Sequence, residues 1–156
     1  MGNTPPKGRA GKIGKEKRTR VTIRINRSFW DAFIYTCDQL GLRRDTYLNL
    51  ALRGQYVKYL QNLPSGTYGE LSRQYKSRAP DTTTLAKLWV DTDLAEQITE
   101  LCKQKDYARN LFFERTISEI TDLIDVGVLT VLDPGIDPPV GTNPLLDFPD
   151  MKSEND

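Results

Sequence analysis

Residues 20–26, Arg20-Val21-Thr22-Ile23-Arg24-Ile25-Asn26, alternate polar and aliphatic side chains over seven positions. A period of two predicts a β-strand with unlike faces, Val21, Ile23 and Ile25 on one and Arg20, Thr22 and Arg24 on the other. The aliphatic face requires a core. The cationic, hydroxyl-bearing face suits an acidic partner that accepts and donates hydrogen bonds.

The period then becomes helical. Asn26 or Ser28 stands where a helix cap is needed, and Phe29, Phe33, Cys37 and Leu40 recur at i, i+4, i+8 and i+11 as one apolar stripe. Gly41 is a natural stop. After the turn Leu42-Arg43-Arg44-Asp45, residues 46–62 read as a second helix with Leu48, Leu50, Ala51, Leu52, Val57 and Leu60. So wide an apolar face on a short helix implies burial on more than one side, as when two helix pairs intertwine. Trp30 and Tyr35 fall beside the first stripe as boundary aromatics. Residues 63–84 are rich in Pro, Gly, Ser and Thr and predict a linker, with a helical turn near residues 70–75. Its Arg73, Lys76 and Arg78, interleaved with Tyr68 and Tyr75, are either solvated or placed along a phosphate backbone.

The opening pattern returns after a shift of 65 positions. Val21, Ile23 and Ile25 fall on Ala86, Leu88 and Val90; Phe29, Phe33 and Cys37 on Leu94, Ile98 and Cys102; Arg44 on Arg109; Leu48 on Phe113 and Leu52 on Ile117. No gap is needed, so the chain reads as an internal repeat: strand 85–90, helix 92–105, and helix 107–125 closed by Gly127. The outward positions of the second strand are Leu85, Lys87 and Trp89, a face that has lost most of its charge. Either it reads a different surface or it supports the first copy. The run 128–132 is a further short apolar segment, a last strand or a patch packed on the preceding helix.

Charge changes the picture at the two ends. The net charge of +1 conceals a head, residues 1–27, with nine Lys/Arg against one Glu, and a tail, residues 133–156, with six Asp/Glu against Lys152. Residues 1–18 carry Pro5, Pro6 and four Gly with Ile13 as the one large aliphatic side chain, and predict a disordered basic arm, either a solvated tail or, as its direct attachment to the strand favours, one that tracks phosphates. The tail's five Pro and six acidic residues predict disorder; it is either a solvating tail or one whose Leu145, Leu146 and Phe148 fold onto a protein partner. The chain has no His and no Cys pair at ligand spacing, which argues against zinc and against acid/base or triad catalysis; no cofactor and no enzyme are expected. Cys37 and Cys102 fall on apolar stripes and predict buried, reduced thiols. No window approaches eighteen uncharged apolar residues and the polar N-terminus lacks a secretory pattern, so the expectation is a cytoplasmic protein without a membrane span.

The order of alternating strand, Asx/Ser cap, helix, Gly41-Leu42-Arg43-Arg44-Asp45 and second helix resembles the ribbon-helix-helix family of prokaryotic DNA-binding proteins. The resemblance covers about 40 residues directly and about 40 more through the repeat. It implies a mainly α fold with a short antiparallel β-ribbon, built of two tandem ribbon-helix-helix units: a basic arm 1–18, unit 1 at 19–62, a linker 63–84, unit 2 at 85–127 and an acidic Pro-rich tail 128–156. It implies base reading by Arg20, Thr22 and Arg24, with Lys87 beside them. Phosphates would be held by the backbone around Arg43, Arg44 and Asp45 at a helix N-terminus, with Lys15, Lys17 and Arg18 of the arm contributing charge. In one departure from the family, Arg43 stands where a Ser or Thr cap is common, with Asp45 as the substitute.

A lone strand is unstable in water, so residues 20–26 pair either with 85–90 of the same chain or with their own copy in a homo-oligomer. Two functions remain open. One is a transcriptional regulator, such as a repressor, or an accessory factor at a plasmid, phage or conjugative origin, acting on double-stranded DNA at the nucleoid. The other is an antitoxin or adaptor whose residues 133–156 bind a protein.

Overall fold

A computed structural model of the chain describes residues 17–64, 68–125 and 143–146. Residues 1–16 of the arm, the run 128–132 and most of the acidic tail lie outside the described residues.

Strand β1 (Arg18–Asn26) leads directly into helix α1 (Arg27–Leu40). The second helical stretch begins as α2 (Arg44–Ala51), widens into a π-helical turn (Leu52–Tyr56) and closes as α3 (Val57–Gln61). A linker helix α4 (Gly69–Lys76) and a 3-10 turn (Pro80–Thr82) precede strand β2 (Thr83–Asp91), helix α5 (Thr92–Lys105) and helix α6 (Arg109–Asp125). The fold is mainly helical with a two-stranded antiparallel ribbon of β1 and β2, so the strand pairing is satisfied within one chain.

Each strand is longer than the alternation that announced it. The ladder runs from Arg18 opposite Asp91 to Asn26 opposite Thr83. Its ends carry Thr, Arg and Asp, which pair through the backbone without adding to the apolar pattern. Val21, Ile23, Ile25, Ala86, Leu88 and Val90 are at most 4% exposed and form the floor of the core. At about 25 cal/mol per Å² of apolar surface, burial of such side chains holds the ribbon on the helices.

The first residues of β1 and β2, of α1 and α5, and of α2 and α6 are each separated by 65 positions: Arg18 and Thr83, Arg27 and Thr92, Arg44 and Arg109. The helix stops recur at the same offset. Gly41 and Asp106 both take the left-handed conformation, at φ 68° and 59°. The Leu42 N–H donates to the Cys37 carbonyl and the Tyr107 N–H to the Cys102 carbonyl, both at 2.9 Å. Asp is among the few residues with a side chain that tolerate this conformation. The halves also cross: α1 packs against α6, α3 against α5, α2 against β2 and α6 against β1. That crossing is why the second helix needed so wide an apolar face.

The apolar stripe of α1 ends early. Phe33 and Cys37 are buried, but Leu40, at the last helical position, is 57% exposed, and Leu50 of α2 also faces outward. Both cysteines are buried free thiols, and loss of hydration pushes them up, Cys37 to about 11 and Cys102 to about 12.

Part of the acidic tail belongs to the core. Leu145 is fully buried, its carbonyl accepts from the Tyr107 hydroxyl at 2.7 Å, and Asn143 Nδ2 donates to the Tyr59 carbonyl at 2.8 Å. A side chain expected at a partner surface is instead covered by its own chain, because the Tyr107 hydroxyl and the Tyr59 carbonyl give the segment hydrogen-bond partners. Leu145→Ala is expected to cost about 2 kcal/mol, the low end for a buried leucine because the short segment can detach. A chemical denaturation midpoint unchanged from wild type would show that the segment adds nothing to the fold.

Candidate nucleic-acid interface

The ribbon leaves one face open. Among its outward positions Arg20 lies opposite Trp89, Thr22 opposite Lys87, and Arg24 opposite Leu85, and all six are exposed. Thr22 and Lys87 are themselves 65 positions apart, so the cross-strand register places equivalent positions of the two halves face to face at the centre of the ribbon. One long edge therefore carries Arg20, Thr22 and Arg24, and the other Leu85, Lys87 and Trp89.

The cations differ in how far they are committed. Among the described residues Arg20 and Lys87 take part in no hydrogen bond or ion pair. Arg24 donates through Nη1 to the Thr83 hydroxyl at 3.0 Å, a neutral contact that leaves its charge uncompensated. Arg18, expected to contact phosphate, places Nε 3.0 Å from Asp91 Oδ1 at the end of the ribbon. Arg53 reaches the other oxygen of the same carboxylate at 3.0 Å. Asp91 thus binds two guanidinium groups and does not cap α5, whereas Asn26, its counterpart, accepts from the Ser28 and Phe29 N–H groups at the start of α1. Arg53 also hydrogen-bonds Asp93, which holds that carboxyl below its usual range. Lys17 is exposed and its carbonyl accepts from the Thr92 N–H, while Lys15 lies outside the described residues.

Two buried polar side chains tie the ends of the ribbon to the helices. Asn49 of α2 accepts from the Asp91 N–H at 2.8 Å, and Glu114 of α6 accepts from the Asn26 N–H at 2.6 Å. These donors and acceptors again stand 65 positions apart, and each helix reaches the strand end of the other half. Glu114 also binds Arg78 Nη1 at 2.6 Å. Arg78 lies 4.4 Å over the ring of Tyr75, and the Tyr75 hydroxyl donates to the Arg24 carbonyl. Of the linker cations, Arg78 is therefore spent on the fold, Arg73 pairs with Glu70, and Lys76 stays exposed.

The start of α2 has no side-chain cap from Arg43, whose backbone is extended at φ −82°. Asp45 does not substitute, since its carboxylate makes no hydrogen bond among the described residues. The first N–H groups of α2 are open for an anion, flanked by exposed Arg43 and Arg44, but the Asp45 carboxylate itself would repel phosphate. The matching turn at α6 carries Ala108, Arg109 and Asn110, with Arg109 hydrogen-bonded to the Asn110 side chain. Arg109, which the 65-residue offset aligns with Arg44, was not among the residues expected at an anion.

Among the described residues no group of three or more His, Cys, Asp or Glu is arranged to hold a metal ion, and no helix is long and apolar enough to cross a membrane. Compared with protein-family models, curated proteins and solved structures, the chain matches none.

Proposed function

We propose that the protein binds double-stranded DNA sequence-selectively by laying the β1–β2 ribbon into the major groove, and that its halves are two tandem ribbon-helix-helix units paired within one chain. The observation that carries this reading is the sidedness of the ribbon: aliphatic side chains at most 4% exposed beneath, and Arg20, Thr22, Arg24 and Lys87 exposed above. A two-stranded ribbon fits the major groove, where Arg pairs with guanine edges and Thr meets a polar group or a methyl. The uncapped start of α2, where Arg43 and Arg44 outweigh Asp45, would hold a phosphate, with Arg109 at the equivalent turn of α6. The common offset of strands, helices and stops supports the tandem reading.

One chain completes one ribbon, and the two long edges differ, so the expected target lacks two-fold symmetry. The chain would act as a transcriptional regulator or as an accessory factor at a plasmid, phage or conjugative origin, in the cytoplasm at the nucleoid; this role comes from the family resemblance. Selection of bound duplexes from a random pool, with the solution mass of the complex, tests the reading. Enrichment of asymmetric sites bound by one chain is expected. No enrichment would overturn DNA reading, and palindromic sites bound by two chains would overturn the intramolecular pairing.

The basic arm contributes separately. Residues 1–16 carry four Lys/Arg, so their deletion is expected to lower affinity on every sequence and to flatten the salt dependence by about 0.9 for each phosphate the arm neutralises. An unchanged slope in a salt titration would exclude the arm from the interface.

A further inference from the structure

Two large apolar side chains stand on the cationic face of the ribbon. Leu85 is 59% exposed and Trp89 43% exposed, at opposite ends of the outward edge of β2 with Lys87 between them. Single exposed hydrophobic residues are ordinary. Here there are two on one nine-residue strand, on the face where the other edge carries Arg20, Thr22 and Arg24. Trp89 makes no ring contact or cation stack with the described residues, although Arg20 lies directly across the ladder from it. Cross-strand neighbours sit about 5 Å apart at Cβ, so each apolar group shares its end of the ribbon with an arginine.

We propose that Trp89 and Leu85 are specificity-determining residues that recognise the 5-methyl groups of thymines, while the opposite edge reads hydrogen-bonding base edges. The inference rests on the DNA-binding reading above and goes beyond it by assigning unlike chemistry to the two long edges. The thymine methyl is the one apolar feature that an unmodified base pair presents in the major groove, so it is the ligand that an apolar side chain can distinguish there. Covering a methyl with an indole or isobutyl group removes both from water, and Lys87 between them supplies the charge that keeps this edge on the duplex. Each end of the ribbon would then favour a guanine on one DNA strand and a thymine on the other.

The test uses the full chain and a site selected from the random pool. Each thymine is replaced in turn by uracil, which keeps the hydrogen-bonding edge and lacks the methyl. Loss of about fourfold in affinity is expected at a thymine facing Trp89 and at one facing Leu85, the equivalent of one buried carbon each. Trp89→Ala should bind the thymine and uracil versions of its site equally while keeping the uracil sensitivity of the Leu85 end; Leu85→Ala should do the reverse. Both side chains are exposed, and circular dichroism confirms that each variant is folded. A selected site whose uracil versions all bind like the parent overturns this inference alone, as does an unchanged uracil penalty in both variants. A pool that yields no selected site overturns the DNA reading and this inference with it.

Discussion

Replacing both Arg20 and Arg24 by alanine is expected to weaken the complex with a selected DNA site by ~2–6 kcal/mol while reducing binding to a scrambled duplex far less. A bidentate arginine–guanine pair contributes ~1–3 kcal/mol of discrimination. The two side chains lie four residues apart on one strand, about 13 Å, so their losses should add. The fold should survive: both are exposed, and the bond that disappears within the protein is that from Arg24 to the Thr83 hydroxyl, about 1 kcal/mol. Gel-shift titrations of both duplexes at one salt concentration separate the cases. Equal losses on both would make the arginines phosphate contacts that read no sequence.

Glu114→Ala is expected to be the most damaging single change to stability. Glu114 is 3% exposed and serves two groups at once, the Asn26 N–H and the Arg78 guanidinium. Removing it leaves a backbone donor and a largely covered cation unpaired, and breaking a buried pair from one side costs ~3–5 kcal/mol. The Arg78 side chain keeps 23% exposure and can turn toward solvent, so the expected cost is about 3 kcal/mol, a fall in Tm on the order of 10 °C. Glu114→Gln keeps an acceptor for the Asn26 N–H and should lose less. A thermal melt of the alanine variant that superimposes on wild type would show that the strand end is not held this way. Arg78→Ala, which leaves Glu114 with the Asn26 N–H alone, should fall between the two.

The parts of the fold legible in the sequence are those in which burial on one side writes a period into the side chains. Val21, Ile23 and Ile25 announced a sided strand, and the stretch from Phe29 to Gly41 a helix with its stop. The offset of 65 residues located α5 and marked Lys87 as the centre of the second edge. What stayed hidden depends on contacts between distant segments. Asn49 and Glu114 look like ordinary polar residues of a helix until the halves cross, and only then do they meet Asp91 and Asn26. Leu145 sits in a Pro-rich acidic segment with no period, so nothing local says that it enters the core. Arg18 reads as one more cation of the basic head, and its bond to Asp91 depends on a ladder that extends past the alternating residues.

With the Arg20, Thr22 and Arg24 edge in the major groove, the ribbon would cover guanine N7 atoms there. Dimethyl sulfate reactivity of guanine N7, which opens into that groove, tests it most directly on a duplex saturated with protein. Protection of guanines in the selected site by wild type is expected, with one protected guanine recovering reactivity in Arg20→Ala and a different one in Arg24→Ala. Every guanine N7 of the saturated site remaining as reactive as in free DNA would contradict it.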